Sequence, residues 1–91
     1  MTQEKYLLTL EEMCGDNGFM TRHLIEAEDR QMVKYHFHRT LKDWGYTDSQ
    51  YQKHCLESWD LGLSAEIHEI RKLKPEEYNI LNKFLSHWAK V

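Results

Sequence analysis

Apolar residues recur at intervals of three and four along most of this chain, which is the spacing that lines one face of an α-helix. Residues 3–13 carry Leu7, Leu10 and Met13 at that spacing, with a second start pattern at Thr9-Leu10-Glu11-Glu12. Residues 20–44 follow as a long middle element, with Met20, Leu24, Val33, Phe37, Leu41 and Trp44 on one side and Gly45 as its stop. Tyr51, Cys55 and Trp59 then predict a helix over 48–61, and Ile67, Ile70 and Leu73 one over 64–73. Tyr78, Leu81, Phe84, Leu85 and Trp88 predict a C-terminal helix over 76–90, the cleanest amphipathic stripe of the chain.

Punctuation agrees with this pattern. Thr47-Asp48-Ser49-Gln50 has the form of a capping box, Gly62 sits where a C-terminal glycine cap belongs, and Ser64 opens the next run. Pro75, the only proline, precedes Glu76 and Glu77, so it falls at a first helical position with acids at the positive end of the helix dipole. Cys14-Gly15-Asp16-Asn17-Gly18 is the clearest breaker. It is not a calcium loop, because five residues before Gly18 an EF-hand needs an acid and this chain has Met13. The expectation is an all-α fold, one domain of four to five helices over residues 1–91.

Two points strain that expectation. A continuous helix over 20–44 would be ~37 Å long at 1.5 Å per residue, longer than the globule of roughly 30 Å that a chain of this size forms. Either it bends near Glu28-Asp29-Arg30, where no apolar residue lies between Ala27 and Met32, or it projects and packs against a second copy as a homodimer. In addition, Val33-Lys34-Tyr35-His36-Phe37-His38 alternates strictly, which is a strand signature. The alternative is therefore a small α+β domain with a strand at 33–38, partnered by Tyr6-Leu7-Leu8-Thr9-Leu10. Helix is preferred there because no Gly, Pro or Asn interrupts residues 19–44.

A net charge of −3 favours no polyanionic partner overall, but the charges are segregated. Residues 1–29 and 43–69 each carry −5, whereas residues 30–42 hold Arg30, Lys34, Arg39 and Lys42 with no acid. Tyr35, Trp44 and Tyr46 accompany them, and Trp, Tyr and Arg are the residue types enriched among interface hot spots. Arg30, Lys34, Tyr35, His38, Arg39, Lys42, Trp44 and Tyr46 thus form the candidate protein-binding surface. Nucleic-acid binding through residues 30–42 and Arg71-Lys72-Lys74 is the alternative, opposed by the overall acidity.

Catalytic and metal chemistry find less support. No two of the six histidines are three or four apart; His23 with Glu26 and His54 with Glu57 are the only His-x-x-Glu pairs, and together they make a weak mixed-ligand candidate. His54 and Cys55 project ~100° apart on a helix and cannot meet. There is no phosphate loop, nucleophile elbow or His-Glu-x-x-His. The expectation is a non-catalytic regulatory, adaptor or inhibitor protein that binds another protein, with no metal, cofactor or catalytic residue. Cys14 and Cys55 have no zinc spacing and are expected to be buried. The N-terminus lacks a signal-peptide pattern and no apolar stretch nears the ~20 residues that span a bilayer, so a cytoplasmic location without membrane contact is expected.

Overall fold

The computed structural model describes residues 3–49, 55–58, 62–85 and 87–88. They form an antiparallel sheet of five strands, β1 (Glu4–Cys14), β2 (Asn17–Ala27), β3 (Thr47–Asp48), β4 (Cys55–Ser58) and β5 (Leu63–Lys72), in the order β2-β1-β5-β4-β3. Helix α1 (Arg30–Asp43) joins β2 to β3, and helix α2 (Pro75–Leu81) follows β5. This α+β fold replaces the all-α helical array that the periodicity predicts. The α+β alternative also places its strand wrongly, since 33–38 lies in the middle of α1.

The predicted helix over 3–13 is β1, and the first part of the predicted helix over 20–44 is β2. Between them Cys14 and Asn17 close the hairpin, and the two-residue loop uses Gly15 at φ +63°, a left-handed conformation that glycine adopts without a Cβ clash. The chain does break at Glu28-Asp29-Arg30. Asp29 is the N-cap of α1, its carboxylate accepting from the Met32 N–H at 2.9 Å. At the other end Gly45 N–H donates to Lys42 and Tyr46 N–H to the Leu41 carbonyl, at 3.0 and 2.9 Å, which is a Schellman closure with Gly45 at φ +97°.

α1 carries the chain from one edge of the sheet to the other across one face, here the front. Val33, Phe37, Thr40 and Leu41 are its buried residues. Apart from Thr40 they join Tyr6, Leu8 and Leu10 of β1, Ile25 and Ala27 of β2, Leu56 and Ala65 in the main core. Side chains of the size of Phe37 or Leu8, both fully buried, each contribute about 1.5–3 kcal/mol through the water-accessible area they lose. On the back face Leu7, Leu24 and Leu73 form a second cluster under Tyr78, Leu81 and Leu85.

The remaining predicted helices also change. Residues 64–73 lie mostly in β5, and Ser64 is a strand residue facing Glu57 and Met13. Thr47 and Asp48 pair with Glu57 and Leu56 as β3, so no capping box forms there; Gln50, Tyr51, His54 and Trp59 fall outside the described residues. Gly62, at φ +67°, precedes β5 rather than ending a helix. Pro75 does stand at the first position of α2, where the Lys74 N–H donates to the Glu77 carboxylate at 3.2 Å. That helix ends at Leu81, and the predicted stripe divides: Phe84 is 78% exposed, while Trp88 leaves for the front face. To get there the chain passes the outer edge of β2, where His87 bridges Leu24 in parallel fashion.

Candidate protein-docking surface

Because α1 spends Val33, Phe37 and Leu41 on the sheet, the 100° step per residue determines what it offers outward. Tyr35, Arg39 and Lys42 lie roughly opposite the buried stripe, with Lys34 and His38 on one flank. Tyr35 is 52% exposed, Lys34, Arg39 and Lys42 are exposed, and His38 is half-buried with its ring 5.4 Å from that of Phe37. Five of the eight predicted binding residues therefore share one surface about 12 Å long. The other three do not. Arg30 lies at the first turn, its Nε 3.4 Å from the Ile70 carbonyl; Trp44 lies beyond the helix end with its ring 5.9 Å from Trp88; and Tyr46 packs half-buried against the core.

The charge of this surface is largely uncompensated. Lys42 reaches Asp48 at 3.3 Å, but both side chains are exposed, and such pairs are worth at most about 1 kcal/mol. Lys34 and Arg39 make no ion pair among the described residues. Three acids of the neighbouring segments are engaged elsewhere, Glu26 with Lys5 at 2.8 Å, Glu4 with Lys72 at 3.6 Å and Asp29 in its cap, while Asp43 ends α1 one turn beyond Arg39. A negatively charged partner would meet Lys34 and Arg39 on either side of the Tyr35 ring.

Two further features lay hidden in the sequence pattern. On the front face beside Trp88, the Thr21 hydroxyl donates to the Glu12 carboxylate, and the His23 Nε2 lies 3.2 Å from the same oxygen. Since Thr21 has given its only proton to Glu12, His23 must donate through Nε2–H, leaving Nδ1 as an acceptor. Burial lowers the His23 pKa below its ordinary value, with Glu12 opposing, and burial likewise raises that of Tyr46. The second feature is the free edge of β2, which carries Phe19 and Met20, 48% and 41% exposed. The Gly-Asp turn between two long runs was the available signal for a hairpin, and hence for such an edge.

The mixed-ligand metal candidate does not assemble from its first pair. In a strand, residues three apart point to opposite faces, so His23 faces the front with Thr21 while Glu26 faces the back and pairs with Lys5. Among the described residues no group of three or more His, Cys, Asp or Glu side chains converges. Cys55 is buried as expected, and burial, reinforced by Glu66 and Glu57, pushes its thiol pKa up, away from the reactive thiolate; Cys14, by contrast, is exposed at the hairpin tip. A cavity of about 210 Å³ opens at the same end, lined by Met13, Glu57, Ser58 and Ser64 among others. No helix of the described residues is long and apolar enough to cross a membrane. Compared with known proteins, the chain matches no family model, no curated protein and no solved structure.

Proposed function

We propose that this chain is a small non-catalytic binding protein that engages an acidic face of another protein through the outer side of α1. The observation that supports it is the gathering of Lys34, Tyr35, His38, Arg39 and Lys42 on one helical surface, with Lys34 and Arg39 in no ion pair among the described residues and Tyr35 presented between them. An exposed aromatic ring supplies apolar contact at low entropic cost, and the bases steer and register an acidic partner. Their removal leaves the core untouched, so binding and folding can be separated.

The experiment is capture from the native host by the wild-type chain and by the Lys34→Glu, Arg39→Glu double variant, with the bound protein identified and its affinity measured directly. Expected is a partner with an acidic docking surface, bound more weakly as salt rises and lost in the double variant while circular dichroism stays unchanged. Tyr35→Ala is expected to lose affinity without changing the salt dependence. Full binding by the folded double variant removes α1 from the interface. Retention of the wild type on DNA at physiological salt would instead assign the basic face to nucleic acid.

A further inference from the structure

The outer edge of β2 is closed at one end and open at the other. The Leu24 carbonyl points away from β1, because it accepts the Trp88 N–H at 2.7 Å. Backbone direction alternates along a strand, and β2 pairs with β1 in unbroken register, so the N–H and C=O groups of Gly18, Met20 and Arg22 also point outward. Among the described residues they have no strand partner. The free stretch runs from Asn17, the first residue of β2, to His23, the last before Leu24. Six large apolar side chains among the described residues are exposed, and the two that belong to the sheet, Phe19 and Met20, both lie here.

We propose that this edge pairs with the same edge of a second copy, in antiparallel fashion about a two-fold axis at Met20. The free stretch is symmetric about that residue, three positions lying on either side. Pairing Met20 with Met20 therefore uses the whole open edge and stops where His87 already occupies the strand. Gly18 then faces Arg22 of the second copy, and the three outward residues exchange about six backbone hydrogen bonds. On the front face each Phe19 meets the second copy's Thr21, an aromatic on a β-branched residue. On the back face the two Met20 side chains meet at the axis.

Charge selects this register over its neighbours. Arg22 lies opposite Gly18 and diagonally across from the second copy's Asp16, of opposite charge, and the contact occurs twice by symmetry. Met13 Sδ of the same chain already covers the face of that glycine, so Arg22 passes beside it. Moving the axis to Arg22 sets two guanidinium groups face to face and drives Met20 onto the occupied position of Leu24. Moving it to Gly18 carries Met20 onto the second copy's hairpin loop, where the strand has ended. In the Met20 register directly opposed residues share a face, so the two sheets continue as one and both α1 helices lie on its front. The pairing stands independently of what α1 binds, but would present that surface twice.

The test is the oligomeric state of the full chain by sedimentation equilibrium from low to high micromolar concentration. The wild type is expected to be a dimer. Met20→Pro removes the outward N–H at the axis without touching a bond to β1, and is expected to be monomeric with an unchanged circular dichroism spectrum. Arg22→Asp is expected to weaken the dimer roughly tenfold, and Asp16→Arg in the same chain to restore it. A wild type that stays monomeric overturns the proposal, as does a folded Met20→Pro that stays dimeric. Neither result touches the α1 reading, which is scored by binding of the Lys34 and Arg39 variants.

Discussion

The backbone N–H of Trp88 donates to the carbonyl of Leu24 at 2.7 Å, and this bond marks where the C-terminal segment passes from the back of the sheet to the front. Leu24 itself faces the back, beside Leu7 and Leu73, whereas the Trp88 ring lies on the front, 5.0 Å from His23 and 5.9 Å from Phe37. One residue pair thus ties both apolar layers to the edge of β2 and fixes how much of that edge is left open.

Trp88→Ala should be among the most damaging substitutions, at about 3–5 kcal/mol, because it empties a site walled by Phe37 and the strands. Trp88→Phe should cost far less. The indole Nε1 is buried without a hydrogen-bond partner among the described residues, and its removal relieves a penalty of about 1–3 kcal/mol that offsets much of the lost contact. Urea unfolding of the two variants checks the contrast; equal losses would mean that the indole N–H is satisfied.

Exposure separates two phenylalanines that the sequence pattern treats alike. Phe37 is fully buried between α1 and the sheet, and Phe37→Ala should cost about 3–5 kcal/mol. Phe84 is 78% exposed, so Phe84→Ala should stay within about 0.5 kcal/mol of wild type. A large loss for Phe84→Ala, measured by the same unfolding curves, would restore the long C-terminal helix predicted over 76–90.

The misreading of strands as helices has identifiable physical causes. β1 is buried on both faces from Tyr6 to Leu10, with α1 over Leu8 and Leu10 and the α2 layer over Leu7. The result is an apolar run interrupted only by the buried Thr9, with no alternation to reveal a strand. In β5 the register shifts opposite Thr9 and Leu10, so that Leu8 faces Ile70, Leu10 faces Ile67, and His68 is the extra residue. A β-bulge therefore turns a spacing of two into one of three, and Ile67 and Ile70 imitate a helical pair while both face the front core. Local chemistry was more legible: the stop at Gly45 and Pro75 at the head of α2 stand where the sequence placed them, the breaker at Gly15 is a turn, though of a hairpin, and the bend weighed near Asp29 is a full change from strand to helix. The outer face of α1 was legible for the same reason, since five of its residues follow from helix geometry alone. Arg30, Trp44 and Tyr46 belong to its ends, where sheet and strap decide their positions.

Capping chemistry offers a second check on the revised fold. Asp29→Ala should cost about 1 kcal/mol, because it strips the carboxylate that receives the Met32 N–H at 2.9 Å. Thr47 caps no helix; its hydroxyl lies 3.5 Å from the Glu57 carbonyl on the short edge strand β3. Thr47→Ala should accordingly cost less than Asp29→Ala. The reverse order in thermal unfolding would reinstate a helix beginning at residue 48.

His23 should make the fold sensitive to mild acid. Burial beside Trp88 lowers its pKa below the ordinary 6.5, against a smaller opposing pull from Glu12, so the folded state holds the ring neutral. Below 6.5 the unfolded chain takes up the proton more readily than the folded one. This contribution to stability is thus complete above that pH and declines as the pH falls through the lower folded value. The Nε2–H bond to Thr21 survives protonation, but the charged ring would be half removed from water. His23→Gln keeps a donor for Thr21 and cannot titrate. Its stability relative to wild type should therefore rise between about pH 7.5 and about pH 5, as the wild type alone loses this share. Urea midpoints for both chains at the two pH values give the difference directly. A gap that stays constant would show that His23 binds its proton equally in the folded and unfolded states.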